Sequence, residues 1–421
     1  MGEFDAICQP GELTDKGRET TLALGERLRH LYVDQLKFMP KLISDSDMIY
    51  LRATPIPRAL ESVQQAFWGF YPPSARTADF PPPTIITRTP ADETLFPNDA
   101  SCRRFAQLSR AFAQRAAENW NDTDDMRYLT KVLSKWMPGE QKVAVDSHPR
   151  LSGIMDTLNA TDAHGPETKL PKEFYDPKAR SIIDKIAVEE WYQGYNESSE
   201  YRMLGIGGLM GDITSRMVGS VERNGNSGIV EVGGVDGKLG KGRGGETDIR
   251  FAMSGCHDTT LAGMLTSLGA FDGEKWPPFT SHIAIEMFKK RNTNNLAQPS
   301  RVEQESTSKN PSWWSSLFGT KTSSSSLVPE GIARKPINEL SASQREKLND
   351  YYVRLRYNDK IMQIPGCKVE GKHLPGDTTF CTLDAFKAIV DKYTPKNWKA
   401  ACTSRLDAPA FPEKPEPAGY E

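Results

Sequence analysis

Apolar positions along this chain recur with two periods, and the alternation between them sketches the fold. From residue 14, "TDKGRETTLALGERLRHLYV" sets Leu24, Leu28 and Leu31 on one face of a helix that Thr14 caps. Residues 48–51 form a short apolar strand, a Pro-containing loop follows, and a second helix runs from about Arg58. "PTIITRT" reads as another strand. Residues 102–220 then carry helical spacing without strong strands. The candidates are "CRRFAQLSRAFAQRAAENW", "MRYLTKVLSKWM", "ARSIIDKIAVEEWYQGY" and "GGLMGDITSRMVGSV". A Gly-rich polar run, "ERNGNSGIVEVGGVDGKLGKGRGGETD", is expected to be a loop or hairpin insertion. "IRFAMSGCHDTTLAGMLTSLGAF" is strand, turn and helix, with Leu261, Met264, Leu265 and Leu268 on one face. "HIAIEMFKK" and "YYVRLRYND" are strands separated by a Ser-rich stretch expected to be disordered, and "TLDAFKAIVDKY" closes with a helix. No internal repeat is present.

Strands alternating with helices imply an α/β core with a largely parallel sheet, and the helical block is best read as a cap inserted into it. The expected core comprises residues 1–100 and 200–421, with flexible insertions at 222–247 and 295–335; the cap is 101–199. A chain of 421 residues can hold one large or two modest domains. The hydrophobic fraction, 38%, is low enough to place some segments outside the packed core. A formal charge of -2 gives no bulk attraction to nucleic acid or membranes. No run approaches the roughly 20 apolar residues of a membrane span, and "MGEFDAICQPGELTDKG" is neither a signal nor a transit peptide. These features predict a soluble intracellular chain. The six cysteines include no CxxC and no zinc spacing, so no metal is expected; Cys367 and Cys381 bracket a loop that a local bridge would close.

Two strand ends carry chemistry. In open α/β sheets ligands bind beyond the carboxyl ends of strands. "IYLRAT" sets Arg52 there, and "IRFAMSGCHDTT" sets His257 and Asp258 there, just before a helix. Arg, imidazole and helix amides suit a dianionic phosphoryl group, and Asp258 would donate a proton to a leaving alkoxide. Against this stands a structural reading, in which Arg52 is an ion-pair partner and Asp258 a helix cap.

At these residues the chain resembles the histidine acid phosphatases, in the phosphoglycerate-mutase-like group. "GELTDKGRETTLALGERLRHLY", "LRATPIPRALESVQQAFWGFYP", "DETLFPNDASC", "CHDTTLAGMLTSLGAF" and the tail "KWPPFTSHIAIEMF … PGCKVEG … CTLDAF" follow the family's motifs in order. "LGAFDGEKWPPF" and "NWKAAC" are most similar to lysophosphatidic acid phosphatase, a mitochondrial enzyme in animals. The resemblance implies a three-layer α/β/α core with a helical cap, a metal-free phosphohistidine mechanism and no cofactor. It assigns phosphate binding to Arg52 and His257, general-acid catalysis to Asp258, and a structural part to Arg58.

The family nucleophile lies in "RHGxRxP", which this sequence does not contain. His30, His148, His164, His282 and His373 all stand in other settings. The expectation is therefore a phosphomonoester hydrolase, acting on lysophosphatidic acid or a similar small ester, truncated ahead of residue 11 and inactive as written. Its sheet edges should be exposed and its solubility low. The alternative is a non-catalytic relative that binds a phosphate ligand or serves a structural end; a phytase-like or phosphoanhydride-cleaving relative would differ only in pocket and cap. "NPSWWSSLFG" offers Trp313, Trp314, Leu317 and Phe318 for weak contact with a membrane surface, although a disordered insertion explains it as well. "GGVDGKLGKGRGG" lacks the Gly-Lys-Ser/Thr of a P-loop.

Overall fold

A computed structural model describes residues 11–222, 249–271, 273–291 and 331–421, together with the backbone of 230–232 and 239–241. Helix α1 (Asp15–Arg29) starts where the Thr14 hydroxyl accepts the Gly17 N–H at 3.1 Å. Strand β1 (Ile49–Ala53) leads into α2 (Pro57–Phe70), whose first turn holds Pro57 at a position that needs no amide donor. The two helices cross at Gly25 and Gly69, where a Cβ on either would overlap the other helix's backbone. A short β2 (Ile85–Ile86) follows.

The helical block comprises α3 (Arg103–Trp120), α4 (Asp124–Leu133), α5 (Leu151–His164), α6 (Pro177–Glu197), α7 (Ser199–Arg202) and α8 (Gly208–Glu222). Helix α5 was not among the expected elements. Its sequence, "LSGIMDTLNATDAH", is rich in weak helix formers. It is helical because Leu151, Ile154, Met155 and Leu158 bury themselves among α4 and α6 residues such as Leu129 and Ile183.

In the Gly-rich run, β3 (Val230–Val232) and β4 (Leu239–Lys241) pair as an antiparallel hairpin. Strand β5 (Phe251–Gly255) and α9 (Asp258–Ser267) follow. Then come β6 (Ile283–Lys289), α10 (Ala342–Glu346), β7 (Tyr351–Tyr357) and β8 (Lys360–Met362). The chain ends with β9 (His373–Leu374), β10 (Asp377–Thr382), α11 (Leu383–Asp391) and α12 (Trp398–Thr403).

These strands form two main sheets. The first, in the order β2-β1-β5, is parallel throughout, and its register sets Arg52 beside Ser254 and Ala53 beside Gly255. The carboxyl ends of β1 and β5 therefore lie side by side. The second runs β6-β7-β10-β9, with β8 also on β7, and is antiparallel. The expected parallel character thus belongs to the first sheet. The second departs from it because β7 turns directly into β8 through Asn358 and Asp359, both at positive φ, a two-residue hairpin geometry.

Two disulfides cross-link the chain. Cys367–Cys381 closes the loop flagged in the sequence; Cys102–Cys402 ties the start of α3 to α12 across 300 residues. The chain re-enters the described residues with Ile332 and Ala333 buried in the core. Trp313, Trp314, Leu317 and Phe318 lie outside the described residues, as does most of both expected insertions. Among the described residues, no helix is long and apolar enough to cross a membrane, and no cluster of side chains could hold a metal ion.

Candidate functional site

The site grows from the end of β5. Gly255 closes the strand against α2, where any Cβ would strike the Ala59 carbonyl, so this strand end and α2 approach as closely as backbones can. Two residues on, His257 caps α9. Its backbone N–H donates to the Thr260 hydroxyl at 3.3 Å, and that hydroxyl donates in turn to the Leu95 carbonyl. The ring Nε2 lies 3.0 Å from Thr54 Oγ1, and the Phe96 ring meets the imidazole edge-on. Burial, with Arg58 adding to it, lowers the imidazole pKa, while Asp258 and Glu93 act in the opposite sense. His257 is accordingly biased towards its neutral form.

Asp258 opens α9. One carboxylate oxygen accepts the Thr259 N–H at 2.8 Å, and the other accepts the indole N–H of Trp276, also at 2.8 Å. The backbone N–H of Trp276 donates to Asp184 on α6 at 3.0 Å. Trp276 thus fastens the carboxylate of the core to a helix of the helical block.

Arg52 is built differently. It is 1% exposed; its Nη2 donates to Glu93 at 2.5 Å and to the Thr94 hydroxyl at 3.1 Å. The same Glu93 oxygen accepts the backbone N–H groups of Thr94 and Leu95 at 2.8 and 2.7 Å. Arg52 Nε and the second Glu93 oxygen are buried without a hydrogen-bond partner among the described residues.

A cleft of about 3280 Å³ opens in front of the β5 end. His257, Asp258, Arg58, Asp156 and Asp184 line it, whereas Arg52 does not. Arg58 is the arginine the resemblance marks as structural; here it faces the cleft and donates to the Gly11 carbonyl at 3.3 Å. Asp156, on α5, has its pKa raised, first by burial and then by Asp258, with Arg58 opposing. The structure therefore brings His257, Asp258, Arg58 and Asp156 to one surface and holds Arg52 behind it. Nearby, burial pushes the Cys256 thiol up to about 12.

Glu93, Thr54, Asp156 and Trp276 escaped the reading of the sequence. Glu93 had a signal, since "DETLFPN" sits in a motif segment. Asp156 had none, because it reaches the site from a helix whose existence the sequence conceals.

Comparison with known proteins shows the family and the fold. The sequence profile described as "Histidine phosphatase superfamily (branch 2)" matches residues 3–304. A probable acid phosphatase of Schizosaccharomyces pombe is 36% identical over 94% of this chain and 77% of its own length. Lysophosphatidic acid phosphatase type 6 of Homo sapiens is 25% identical over 66% of this chain, and the match spans 57% of that protein. Among solved structures, Hafnia alvei phytase in complex with tartrate superposes with a TM-score of 0.54 at 12% identity, covering 94% of this chain and 90% of that one. The phytase from Citrobacter braakii gives 0.52 at 10% identity, covering 94% and 91%. These two show the fold.

Proposed function

The chain belongs to the histidine phosphatase superfamily, branch 2, and on that premise we propose that its site is the phosphate-binding and acid half of a phosphomonoester hydrolase. One observation carries this reading: His257 and Asp258 stand together at the end of β5, on a cleft that Arg58 also faces. Neutral His257 hydrogen-bonds a phosphoryl oxygen. Arg58 supplies charge from the cleft, and the first amides of α9 favour the anion. Arg52, buried behind them, holds Glu93 and the strand end in place.

In the full reaction an imidazole nitrogen attacks phosphorus and the P–O ester bond breaks. The departing alkoxide takes the Asp258 proton, and water then cleaves the N–P bond, returning a proton to Asp258 and releasing inorganic phosphate. These 421 residues hold no "RHGxRxP" imidazole to begin that sequence. The chain alone therefore binds a phosphate ester without turning it over. Lysophosphatidic acid is the substrate we favour, because relatives carry that name. The two disulfides favour an oxidising compartment.

One observation favours the alternative of a non-catalytic relative: Arg52 is committed to a buried ion pair with Glu93 instead of lining the cleft. Calorimetry with inorganic phosphate tests whether the site at the end of β5 binds the anion. We expect binding by the native chain and its loss in His257→Ala, with p-nitrophenyl phosphate turnover at background throughout. Phosphate binding that survives His257→Ala would move the ligand elsewhere, and robust turnover by this chain alone would overturn its inactivity.

A further inference from the structure

We propose that Asn196, at the end of α6, is an N-glycosylation site. Two independent features lead to it, and neither rests on the phosphatase reading. The first is a set of three Asn-x-Ser/Thr acceptor sequences: "NDT" at Asn121, "NAT" at Asn159 and "NES" at Asn196. All three fall in the helical block, and no other asparagine of the chain stands in that frame. The second is the pair of disulfides, Cys102–Cys402 and Cys367–Cys381. Such bonds form and persist along the secretory route and are rare in the cytosol. That route is also where oligosaccharide is added to asparagines in this frame. The intracellular setting expected from the sequence gives way to this one.

The acceptor is modified on the extended chain, so the fold decides which modified chain still reaches the native state. Asn121 cannot carry a glycan without loss. It caps α3; its Oδ1 accepts the Val145 N–H at 2.9 Å, and its Nδ2 donates to Asp146, also at 2.9 Å. Val145 is buried, so displacing the Asn121 amide strands a buried donor. Asn159 is half-buried on α5 and lines the cleft, where a glycan would crowd Asp156 and Asp162.

Asn196 differs from both. It is exposed in the last turn of α6, and its side-chain amide makes no hydrogen bond among the described residues. The backbone beneath it is firmly held. The Asn196 carbonyl accepts Arg202 Nη1 at 3.3 Å, the Glu197 carbonyl accepts the Glu416 N–H at 2.8 Å, and the Ser199 N–H donates to the Glu416 carboxylate at 2.6 Å. The acceptor nitrogen therefore stands on a fixed base and has no native contact to give up. Ser198 completes the acceptor sequence and serves again after folding. Its hydroxyl, then buried, accepts the Tyr201 N–H at 3.2 Å and caps α7.

The step joins Asn196 Nδ2 to the anomeric carbon of an oligosaccharide carried on a lipid pyrophosphate. As the N–C bond forms, the C–O bond to phosphate breaks, its electron pair leaves on the lipid pyrophosphate, and the amide loses one proton. The product is a bulky polar group on surface that already faces water.

The test uses the intact chain purified from the cells that make it. Peptide N-glycosidase in heavy-oxygen water converts each glycosylated asparagine into a heavy aspartate, and peptide mass spectrometry then reads residues 121, 159 and 196 separately. An enzyme-free control removes spontaneous deamidation. We expect the label at residue 196 in most chains, and in few at 121 or 159. Absence of label at 196 overturns the proposal, and so does equal or heavier label at 121 or 159. Variants made in the same cells separate modification from folding. Asn196→Gln should lose the label and melt with the native chain once both are enzyme-treated. Ser198→Ala should lose the label and melt lower, because it also removes the α7 cap, whereas Ser198→Thr should keep both. An Asn196→Gln chain that melts as low as Ser198→Ala would show a structural asparagine and overturn the assignment.

Discussion

The carboxyl ends of β1 and β5 lie side by side in one register, yet they are built to opposite standards. At the β1 end, Arg52 is buried at 1% and locked to a Glu93 that already accepts two backbone amides. At the β5 end, His257 and Asp258 are partly buried, are held by hydrogen bonds that include Thr54 and Trp276, and face a wide cleft. The first is a finished piece of scaffold; the second keeps its polar groups accessible. Charged side chains at neighbouring strand ends therefore need not do the same work. Desolvation decides: a buried guanidinium must keep its counter-ion, whereas a group on a cleft can exchange water for a ligand.

Three substitutions probe that contrast, and the largest effect belongs to the scaffold end. Glu93→Ala leaves Arg52 buried without its partner, and urea unfolding should show a loss of about 3–5 kcal/mol. A loss under about 1 kcal/mol would mean that the ion pair is open to water and the two ends are alike. Trp276→Phe keeps the ring packing against Tyr192 but removes the donor to Asp258. We expect about 1 kcal/mol, since the partner is only partly buried, together with a changed pH dependence of phosphate binding. An unchanged pH dependence would show that the indole does not hold Asp258. The smallest effect should come from Asp156→Asn. Its raised pKa means the folded chain prefers the protonated form, so the ionised carboxylate lowers stability above the ordinary aspartate range. The variant should melt slightly higher than the native chain at neutral pH. That gain should vanish as pH falls through the aspartate range, where folded and unfolded chains are both protonated. A lower melting temperature at pH 7 would show that Asp156 is held by partners and is not strained.

What could be read in advance was what local pattern encodes. Thr14 capping α1, the strand-turn-helix at 251–267 and the adjacency of His257 and Asp258 all follow from spacing within some twenty residues, where backbone periodicity and capping act directly. The ordered motifs also carried the family, because each residue type sits at a fixed distance from its neighbours in the chain. What could not be read involves long-range burial. Helix α5 forms from a sequence of weak helix formers because Leu151, Ile154, Met155 and Leu158 are packed by other helices. Cys102 meets Cys402 only because the tail returns to α3. Glu93 holds Arg52, and Trp276 holds Asp258, across turns that no periodicity describes.

The sequence by itself determined most of the elements, though not α5, together with the order of the motifs and the identities of His257 and Asp258, since local sterics and hydrogen bonding suffice for these. Tertiary structure alone decided that Arg52 lies behind the site while Arg58 faces it, and that β1 and β5 pair with their carboxyl ends side by side. Burial and the pairing of distant strands are properties of the assembled sheets and helices, and no local stretch of chain contains them.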